Sequence, residues 1–593
     1  MMYRVNVLAA FAVCIAAQVL AKCYDPSPAF LLPSQELFSR NKSFFASIDS
    51  AIDTLVTSDL FNGSSFAIEV TSSHETLWSR YHTAKVLNKT RGTRHVDGDT
   101  RFRIASITKT FTTLALLQQH AAGNFSIDDT IDKYIHELQD KDEFSIPWKD
   151  ITLRSLASQL SGIPRELSFD LLPELPDPSE LGLPVVSREG LPACDQYVPS
   201  GAPCQRSDMI ARLKRTPPLF APNQKSTYSN VAFELLGLAV ENVTGLPYED
   251  VLTQNILKPV GMGNTSITKP DDSTGAIPNT PDNAWDYRLG VQAPTGALYT
   301  SPLDMSKYLR HILTHYNGLT PTSNWFQPAS YASSASSFYG MPWEIFRTTS
   351  ILDPNTRPTT FITKGGNLSG YASMIFLLPD YDIGITLLVA GSEDTLTKLR
   401  ETVTVPLVRA VDELIAADAE KTYAGLYIAT GSTLNTSLTL TASAAHGLEI
   451  TSFISNSTDA LSALAPLKLE AGLSRSAWRA QLVPTFLYKN QSAVPPAGEL
   501  WRLQMVSNKD EENGPHANVW DDECITDEDW AMYAGIPLTE FVMWRDEEGR
   551  VMEVEASGFR VKMRKQEEKE QKQGWSEMIE GRSGGSAQSV LVQ

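Results

Sequence analysis

Phe102-Arg103-Ile104-Ala105-Ser106-Ile107-Thr108-Lys109-Thr110-Phe111 is the stretch that decides how this chain is read. Ser106 and Lys109 open a predicted helix, Ser106 to Ala121, in which Phe111, Leu114 and Leu117 recur at helical spacing before a stop at Gly123. Positions i and i+3 share a helical face, which sets the Lys109 ammonium beside the Ser106 hydroxyl. A serine hydroxyl is a weak nucleophile until a neighbour takes its proton or stabilises its anion. Lysine can do the first, and the positive end of the helix dipole favours the second. Two fixed positions in four also arise by chance on surface helices, so the weight of the pattern depends on partners further along the chain.

Two later clusters supply what such a pair needs. In Pro222-Asn223-Gln224-Lys225-Ser226-Thr227-Tyr228-Ser229-Asn230 a turn-rich approach leads into a predicted helix, Val231 to Val240. A phenol ordinarily titrates near pH ~10. Between two lysines its anion is favoured, which makes Tyr228 a candidate general base, with Asn230 placed to orient the substrate amide and Lys109. On its own Tyr-Ser-Asn reads as a helix cap. In Thr363-Lys364-Gly365-Gly366-Asn367, between strand-like segments, Lys364 supplies the second positive charge. Gly365 and Gly366 let a substrate lie against an edge strand, and the N–H of Asn367 can join that of Ser106 as an oxyanion hole. On its own Lys-Gly-Gly reads as a hairpin turn.

In this order, the three motifs resemble those of the serine β-lactamase and penicillin-binding protein family. Tyr at the head of the second motif is similar to the class C β-lactamase and D-alanyl-D-alanine carboxypeptidase branch, which also contains esterases. Further segments resemble family landmarks: Thr152 to Pro164, Leu257-Lys258-Pro259-Val260-Gly261-Met262, and Thr295-Gly296-Ala297-Leu298-Tyr299 through Asp304-Met305. The resemblance spans about residues 45 to 412, and Tyr423-Ala424-Gly425-Leu426-Tyr427 resembles the opening of the small β-barrel domain appended to many relatives. Gln159 stands where relatives commonly have His, and Gly365 replaces a threonine that can bond a substrate carboxylate. Asn367 is a glycosylation sequon inside the proposed oxyanion hole, and it is expected to be unmodified.

The resemblance implies an α+β fold: a β-lactamase-like antiparallel sheet flanked by helices, with an all-helical subdomain. The residues point the same way. Ser65 to Thr71 and Glu75 to Thr83 alternate as a hairpin, and Tyr371 to Leu378 and Ile383 to Val389 are apolar and β-branched. Early strands, a helical middle and late strands imply one sheet built from both ends of the domain. A helix from Asp394 to Ala416 closes it. Short strands then predominate (Ser437 to Thr441, Leu448 to Phe453, Trp501 to Val506, Phe541 to Arg545, Val551 to Val554), which predicts a C-terminal β-barrel or sandwich. The expected boundaries are a signal peptide at 1–21, a leader at 22–44, the catalytic domain at 45–415, a β-rich domain at 420–563 and a disordered tail at 564–593.

A secreted protein is expected. Arg4, the apolar run Val7 to Ala17 and small residues at Val19-Leu20-Ala21 read as a secretory signal. Of the five cysteines, Cys14 leaves with that signal, and Cys23, Cys194, Cys204 and Cys524 allow two disulfides in three pairings. Cys194–Cys204 is favoured as a short-loop staple and Cys23–Cys524 as a tie between the ends. Glycan acceptors are expected at Asn41, Asn62, Asn88, Asn124, Asn242, Asn264, Asn435, Asn456 and Asn490. A net charge of -19 argues against nucleic acid and anionic membranes as partners. No later run is long enough to span a membrane. A small-molecule or peptide substrate is expected, with no cofactor and no metal, and the oligomeric state stays open.

The leading reaction is acyl transfer through Ser106 to water, an alcohol or an amine. A His-based serine hydrolase is disfavoured, since the one G-x-S-x-G match, Gly581 to Gly585, lies in the tail without a strand or helix around it. His311 and His315 have metal-pair spacing, but Ile312 stands where a zinc protease needs glutamate. The alternative from another class is a catalytically inactive relative that binds a ligand or partner.

Overall fold

The computed structural model describes residues 30–33, 37–38, 42–139, 145–166, 178–187, 203–315, 325–352, 357–431, 435–469, 474–507 and 529–566. The expected signal peptide, the tail with Gly581 to Gly585, most of the stretch from Leu171 to Pro203, and Cys23, Cys194, Cys524 and Asn41 lie outside them. Two compact units are present, one of residues 37–348 with 360–407, the other of 349–359 and 408–566 with the short 30–33 segment.

In the first unit an antiparallel sheet runs in the order β2-β1-β10-β9-β8-β7-β6-β5. Its members are β1 (Ser65–Thr71), β2 (Thr76–His82), β5 (Ser330–Tyr331), β6 (Ser337–Tyr339), β7 (Glu344–Thr348), β8 (Thr359–Leu368), β9 (Tyr371–Leu378) and β10 (Ile383–Ala390). A separate small pair joins β3 (Phe102–Arg103) to β4 (Tyr299–Thr300). The first hairpin pairs with the last strand, Ser65 opposite Ala390, so both ends of the domain meet in one sheet as expected.

The alternation read in the hairpin breaks down on β1, which is buried on both faces. Its polar residues are instead paired internally: Glu69 accepts from Tyr81 and, at 2.9 Å, from Ser306 of helix α5 (Pro302–His315). Helix α1 (Phe45–Leu55) covers β2, its Phe45 stacked on Trp78 at 5.4 Å. A strand with helices on both faces needs no solvent side.

Helix α2 (Thr108–Ala121) lies in the middle of the core and is buried along most of its length. Its polar groups stay paired: Thr110 Oγ1 donates to the Ile107 carbonyl at 2.8 Å and Thr112 Oγ1 to that of Pro294 at 2.7 Å. Phe111 stacks on Tyr308 of α5 at 3.9 Å. Helices α3 (Arg206–Leu213) and α4 (Asn230–Thr244) follow, and α4 ends at Gly245 with φ of 69°, a left-handed stop that glycine adopts without a Cβ clash.

The helix that follows β10, α6 (Glu393–Tyr423), is longer than the expected Asp394 to Ala416. Ala417-Asp418-Ala419-Glu420-Lys421 are good helix formers with no stop before Gly425, which carries the helix past its expected end. The units divide at 407, inside this helix.

In the second unit the strands are β11 (Gly425–Ala429), β12 (Ser437–Ser443), β13 (Gly447–Ser455), β14 (Thr458–Asp459), β15 (Trp478–Asn490), β16 (Ala497–Ser507), β17 (Met532–Tyr533), β18 (Ile536–Pro537), β19 (Glu540–Arg545), β20 (Val551–Ala556) and β21 (Val561–Lys565). Pairing in the order β12-β11-β21-β20-β19-β16-β15-β13, with β13 back on β12, closes an eight-stranded barrel. The open choice between barrel and sandwich is thereby resolved. Closure leaves the eight barrel strands paired on both sides, with only the short β14 and the β17–β18 pair outside the ring among the described residues.

The 349–359 segment is tied into this unit by a buried ion pair. Arg357 Nη2 lies 2.5 and 2.6 Å from the two carboxylate oxygens of Asp412, and Arg357 Nε donates to the Ala444 carbonyl at 3.0 Å. Breaking a buried pair strands one charge, at a cost of about 3–5 kcal/mol, whereas replacing both partners with apolar groups is often neutral. Asp412→Ala is therefore expected to lower the unfolding free energy by about 3 kcal/mol or more, and Arg357→Leu with Asp412→Leu to cost far less. Equal losses in denaturant titrations of the single and double variants would refute this account.

Candidate active site

Ser106 sits on a single 3-10 turn, Ala105–Ile107, which leads into α2. Ala105 has φ of 47°, a left-handed conformation that a non-glycine residue adopts at an energetic cost. The turn is clamped from the sheet side: Ser373 Oγ of β9 donates to the Ile104 carbonyl at 2.9 Å. Lys109 Nζ lies 3.0 Å from Ser106 Oγ and 2.9 Å from the Thr295 carbonyl. The side chain of Lys109 is fully buried. The i, i+3 expectation therefore holds in geometry, and Thr295 is the acceptor that fixes the lysine.

Tyr228 is held by the segment around it. Ser229 caps α4, its Oγ accepting from the Ala232 N–H at 3.1 Å, which is the cap reading of Tyr-Ser-Asn. Gln159, at φ of 62°, brackets the tyrosine: its carbonyl accepts from Thr227 N–H at 2.9 Å and its Oε1 from Ser229 N–H at 2.7 Å. The Nζ atoms of Lys109 and Lys364 each lie 5.2 Å from the Tyr228 ring centre, and the Arg165 guanidinium lies 4.8 Å away. Burial opposes ionisation of this phenol. The charges of Lys109 and Lys364, with a hydrogen bond to Ser106, outweigh it and hold the phenol below its ordinary range.

The two lysines differ. Burial and the neighbouring Lys364 push Lys109 down, toward the neutral form that can take a proton. Lys364 is also buried, but Glu344 and Tyr228 pull it up and keep it charged. Lys364 Nζ lies 2.7 Å from Glu344 Oε1 and donates to the Gly365 carbonyl at 2.8 Å. Glu344, at the start of β7, is not among the residues legible in the sequence. No short motif marks it, and only the pairing of the sheet brings it to Lys364.

Lys364-Gly365-Gly366 is no hairpin turn: it lies inside β8, and the turn comes later, at Ser369-Gly370, between Leu368 and Tyr371. Gly366 is forced by packing. A Cβ there would sit 2.2 Å from the Ile104 carbonyl oxygen and 3.0 Å from Ser106 N, so only glycine lets β8 approach the nucleophile turn. The N–H of Gly365 turns away from β9, to Glu344 Oε2 at 3.1 Å. Asn367 is two residues on and has the same parity, so its N–H points the same way. Its side chain is exposed.

Asn230 also reaches an acid that the sequence did not mark. Its amide nitrogen donates to Glu166, which also lies 3.5 Å from Arg165. Beneath it, Glu234 is buried, and Gln292 Nε2 donates to its Oε1 at 3.4 Å. Burial and the nearby Glu166 push the Glu234 carboxyl up to about 8. This acid is protonated when folded but ionises at about 4.5 when unfolded, so stability falls by about 1.4 kcal/mol per pH unit between those values. Glu234→Gln should accordingly gain stability over the native chain as pH rises from 5 to 8, read as a widening difference in melting temperature. A difference that stays constant across that range would contradict a neutral Glu234.

Among the described residues no cluster of three His, Cys, Asp or Glu side chains is arranged to hold a metal ion. No described helix is long and apolar enough to cross a membrane. Cys204 is disulfide-bonded. Asn124, Asn242, Asn435, Asn456 and Asn490 are exposed, while Asn62, Asn88 and Asn264 are half-buried. The amide nitrogens of Asn62 and Asn264 donate to Asp59 and Asp99, each at 2.9 Å.

Residues 64–405, more than half of the chain, match the Beta-lactamase family model. The chain belongs to the β-lactamase family. A second model, Beta-lactamase-like-like, C-terminal domain, matches residues 415–567 of this β-lactamase-family chain. It is 35% identical over 558 residues to "Probable hydrolase M10" of Phoma sp., covering 91% of each chain. It is 33% identical over 595 residues to "Probable hydrolase clz13" of Cochliobolus lunatus, covering 94% of each. A solved class C β-lactamase aligns with a TM-score of 0.45 and 17% identity, over 61% of this chain and 95% of that one. The chain is thus a hydrolase-family member carrying the β-lactamase-like fold with an appended barrel.

Proposed function

We propose that this chain is a secreted serine hydrolase that forms an acyl-enzyme on Ser106 and passes the acyl group of an ester, amide or lactam to water, an alcohol or an amine. The observation that carries the reading is the contact of Lys109 Nζ with Ser106 Oγ at 3.0 Å, beside a phenol held between two lysines. Tyr228, with Lys109, takes the proton of Ser106. Ser106 Oγ attacks the carbonyl carbon, and the N–H groups of Ser106 and Asn367 receive the oxyanion. Tyr228 returns the proton to the leaving group as the carbonyl re-forms. The acceptor then repeats the cycle on the acyl-enzyme. Preorganised N–H donors of this kind are worth about 3–4 kcal/mol each in related chemistry.

Carboxylesterase, amidase and acyltransferase activities are all consistent with this step. Secretion rests on the signal-like N-terminus, and the names of the fungal relatives support a hydrolase. We also propose that Cys204 pairs with Cys194 and Cys23 with Cys524, that glycans occupy the exposed sequons, and that Asn367 is spared. A glycopeptide map with full occupancy at Asn367 would count against the oxyanion role.

The experiment is incubation with a fluorophosphonate and with a fluorescent penicillin, read by intact mass beside Ser106→Ala. An adduct of the fluorophosphonate on the native chain alone is expected. A folded native chain that takes up neither probe would favour a ligand-binding relative without catalysis.

A further inference from the structure

Glu344 flanks the side of the site from which Tyr228 would return its proton to a leaving group: it holds Lys364, whose Nζ lies 5.2 Å from the Tyr228 ring centre. Besides the Asn367 N–H given to the oxyanion, β8 offers two donors next to the reacting centre, Lys364 Nζ and the N–H of Gly365. Both are engaged by one carboxylate, at 2.7 Å through Oε1 and at 3.1 Å through Oε2. A Cβ at residue 365 would come within 3.6 Å of Oε2, an ordinary contact, so the carboxylate lies directly against this backbone position. Its backbone is pinned as well, the Glu344 carbonyl accepting from Thr363 Oγ1 at 2.7 Å. Lys364 is 1% exposed, whereas the Glu344 side chain is 35% exposed, so the group that faces solvent and ligand is the acid.

Other charged groups do not reverse this. Arg165 lies 4.8 Å from the Tyr228 ring centre and 3.5 Å from Glu166, so its charge is itself offset. The neighbouring strands add aromatic surface. Tyr339 is opposite Glu344 across β6 and β7, and Tyr331 of β5 packs on Phe338 at 5.6 Å. The Tyr331 carbonyl accepts from Ser226 Oγ at 2.5 Å, which sets this edge beside the Tyr228 segment. Tyr331 itself is 75% exposed.

Resting on the acyl-transfer reading above, we propose that Glu344 is a specificity-determining residue. It selects acyl donors that are neutral or cationic on the leaving side of the scissile bond, with apolar or aromatic character, and rejects those bearing a carboxylate there. An anionic donor must either displace Glu344 from Lys364 or sit against it, and each option leaves a carboxylate without its counter-charge.

The test uses two phenylacetylglycyl thioesters, one of thioglycolate and one of thioglycolamide, which differ only in the charge of the leaving group. The native chain should favour the neutral donor by about tenfold or more in kcat/KM, and the preference should shrink at high salt. Glu344→Gln should bring the ratio near one, chiefly by lowering KM for the anionic donor, and Glu344→Lys should invert it. The native ratio and its salt dependence need no variant, so a misfolded substitution cannot hide the answer. A native chain without charge preference, or a Glu344→Gln chain that slows on both donors alike, overturns the inference. Failure of the acyl-transfer reading looks different: the native Ser106 would then take no fluorophosphonate and neither thioester would turn over.

Discussion

Ser106→Ala is expected to lower kcat on a small activated ester by about four orders of magnitude or more, with little change in KM. The loss is that of a covalent route. Substrate binding and the backbone N–H donors remain, so a small residual rate over water should persist. The fold should be untouched, because the Ser106 hydroxyl contributes a contact to Lys109, and Lys109 keeps the Thr295 carbonyl at 2.9 Å. Residues that act as one unit are not additive, so Ser106→Ala with Lys109→Met should be no slower than Ser106→Ala alone. Steady-state kinetics on the same ester decide the matter. A Ser106→Ala chain with near-native kcat would sink the acyl-enzyme mechanism outright.

Tyr228→Phe carries the second largest effect, a fall in kcat of about 10²–10⁴-fold, the range for removal of a general acid–base group. Phenylalanine keeps the ring and hence its contacts with Lys109, Lys364 and Arg165, while the hydroxyl proposed to receive and return the proton is lost. The pH profile gives an independent check. The flanking cations hold the phenol below its ordinary range, so kcat/KM should rise with pH and level off below the usual tyrosine value of about 10. A cation favours the phenolate, so Lys364→Met should move that limb to higher pH. Glu344 opposes the phenolate, and Glu344→Gln should move it lower. A limb that ignores both substitutions would assign the base role to another group.

Much of this site is legible in local sequence. The spacing of Ser106 and Lys109 fixes their contact, because one helical turn is a local property. The strand pattern at both ends of the first domain likewise predicts a sheet that joins them, since β1 and β10 carry enough apolar and β-branched residues to pair. Gly366 is readable as a close-approach glycine, although what approaches it is not. The barrel is legible only in outline. Its longest strand, β15, carries no clean strand pattern, because Pro484 lies inside it and Phe486, at φ of 57°, interrupts its register with β16. The expected end of α6 fails for the converse reason: good helix formers hide the boundary.

What the sequence by itself determined was the set of candidate reactive groups: Ser106, Lys109, Tyr228 and Lys364, each with chemistry carried in its own side chain. Only the tertiary structure decided what those groups touch. Gln159, separated from Ser229 by 70 positions, locks the Tyr228 segment from both sides. Thr295 anchors Lys109 across 186 positions through a backbone carbonyl, a group that every residue owns and no motif can mark. Asn230 turns to Glu166, and Glu344 claims Lys364 and Gly365. Ionisation is set the same way. A lysine in a sequence is a cation, but burial and a charged neighbour push Lys109 down while a carboxylate pulls Lys364 up. The two identical side chains acquire different roles because electrostatic energy depends on distance and solvent exposure, and chain order specifies neither.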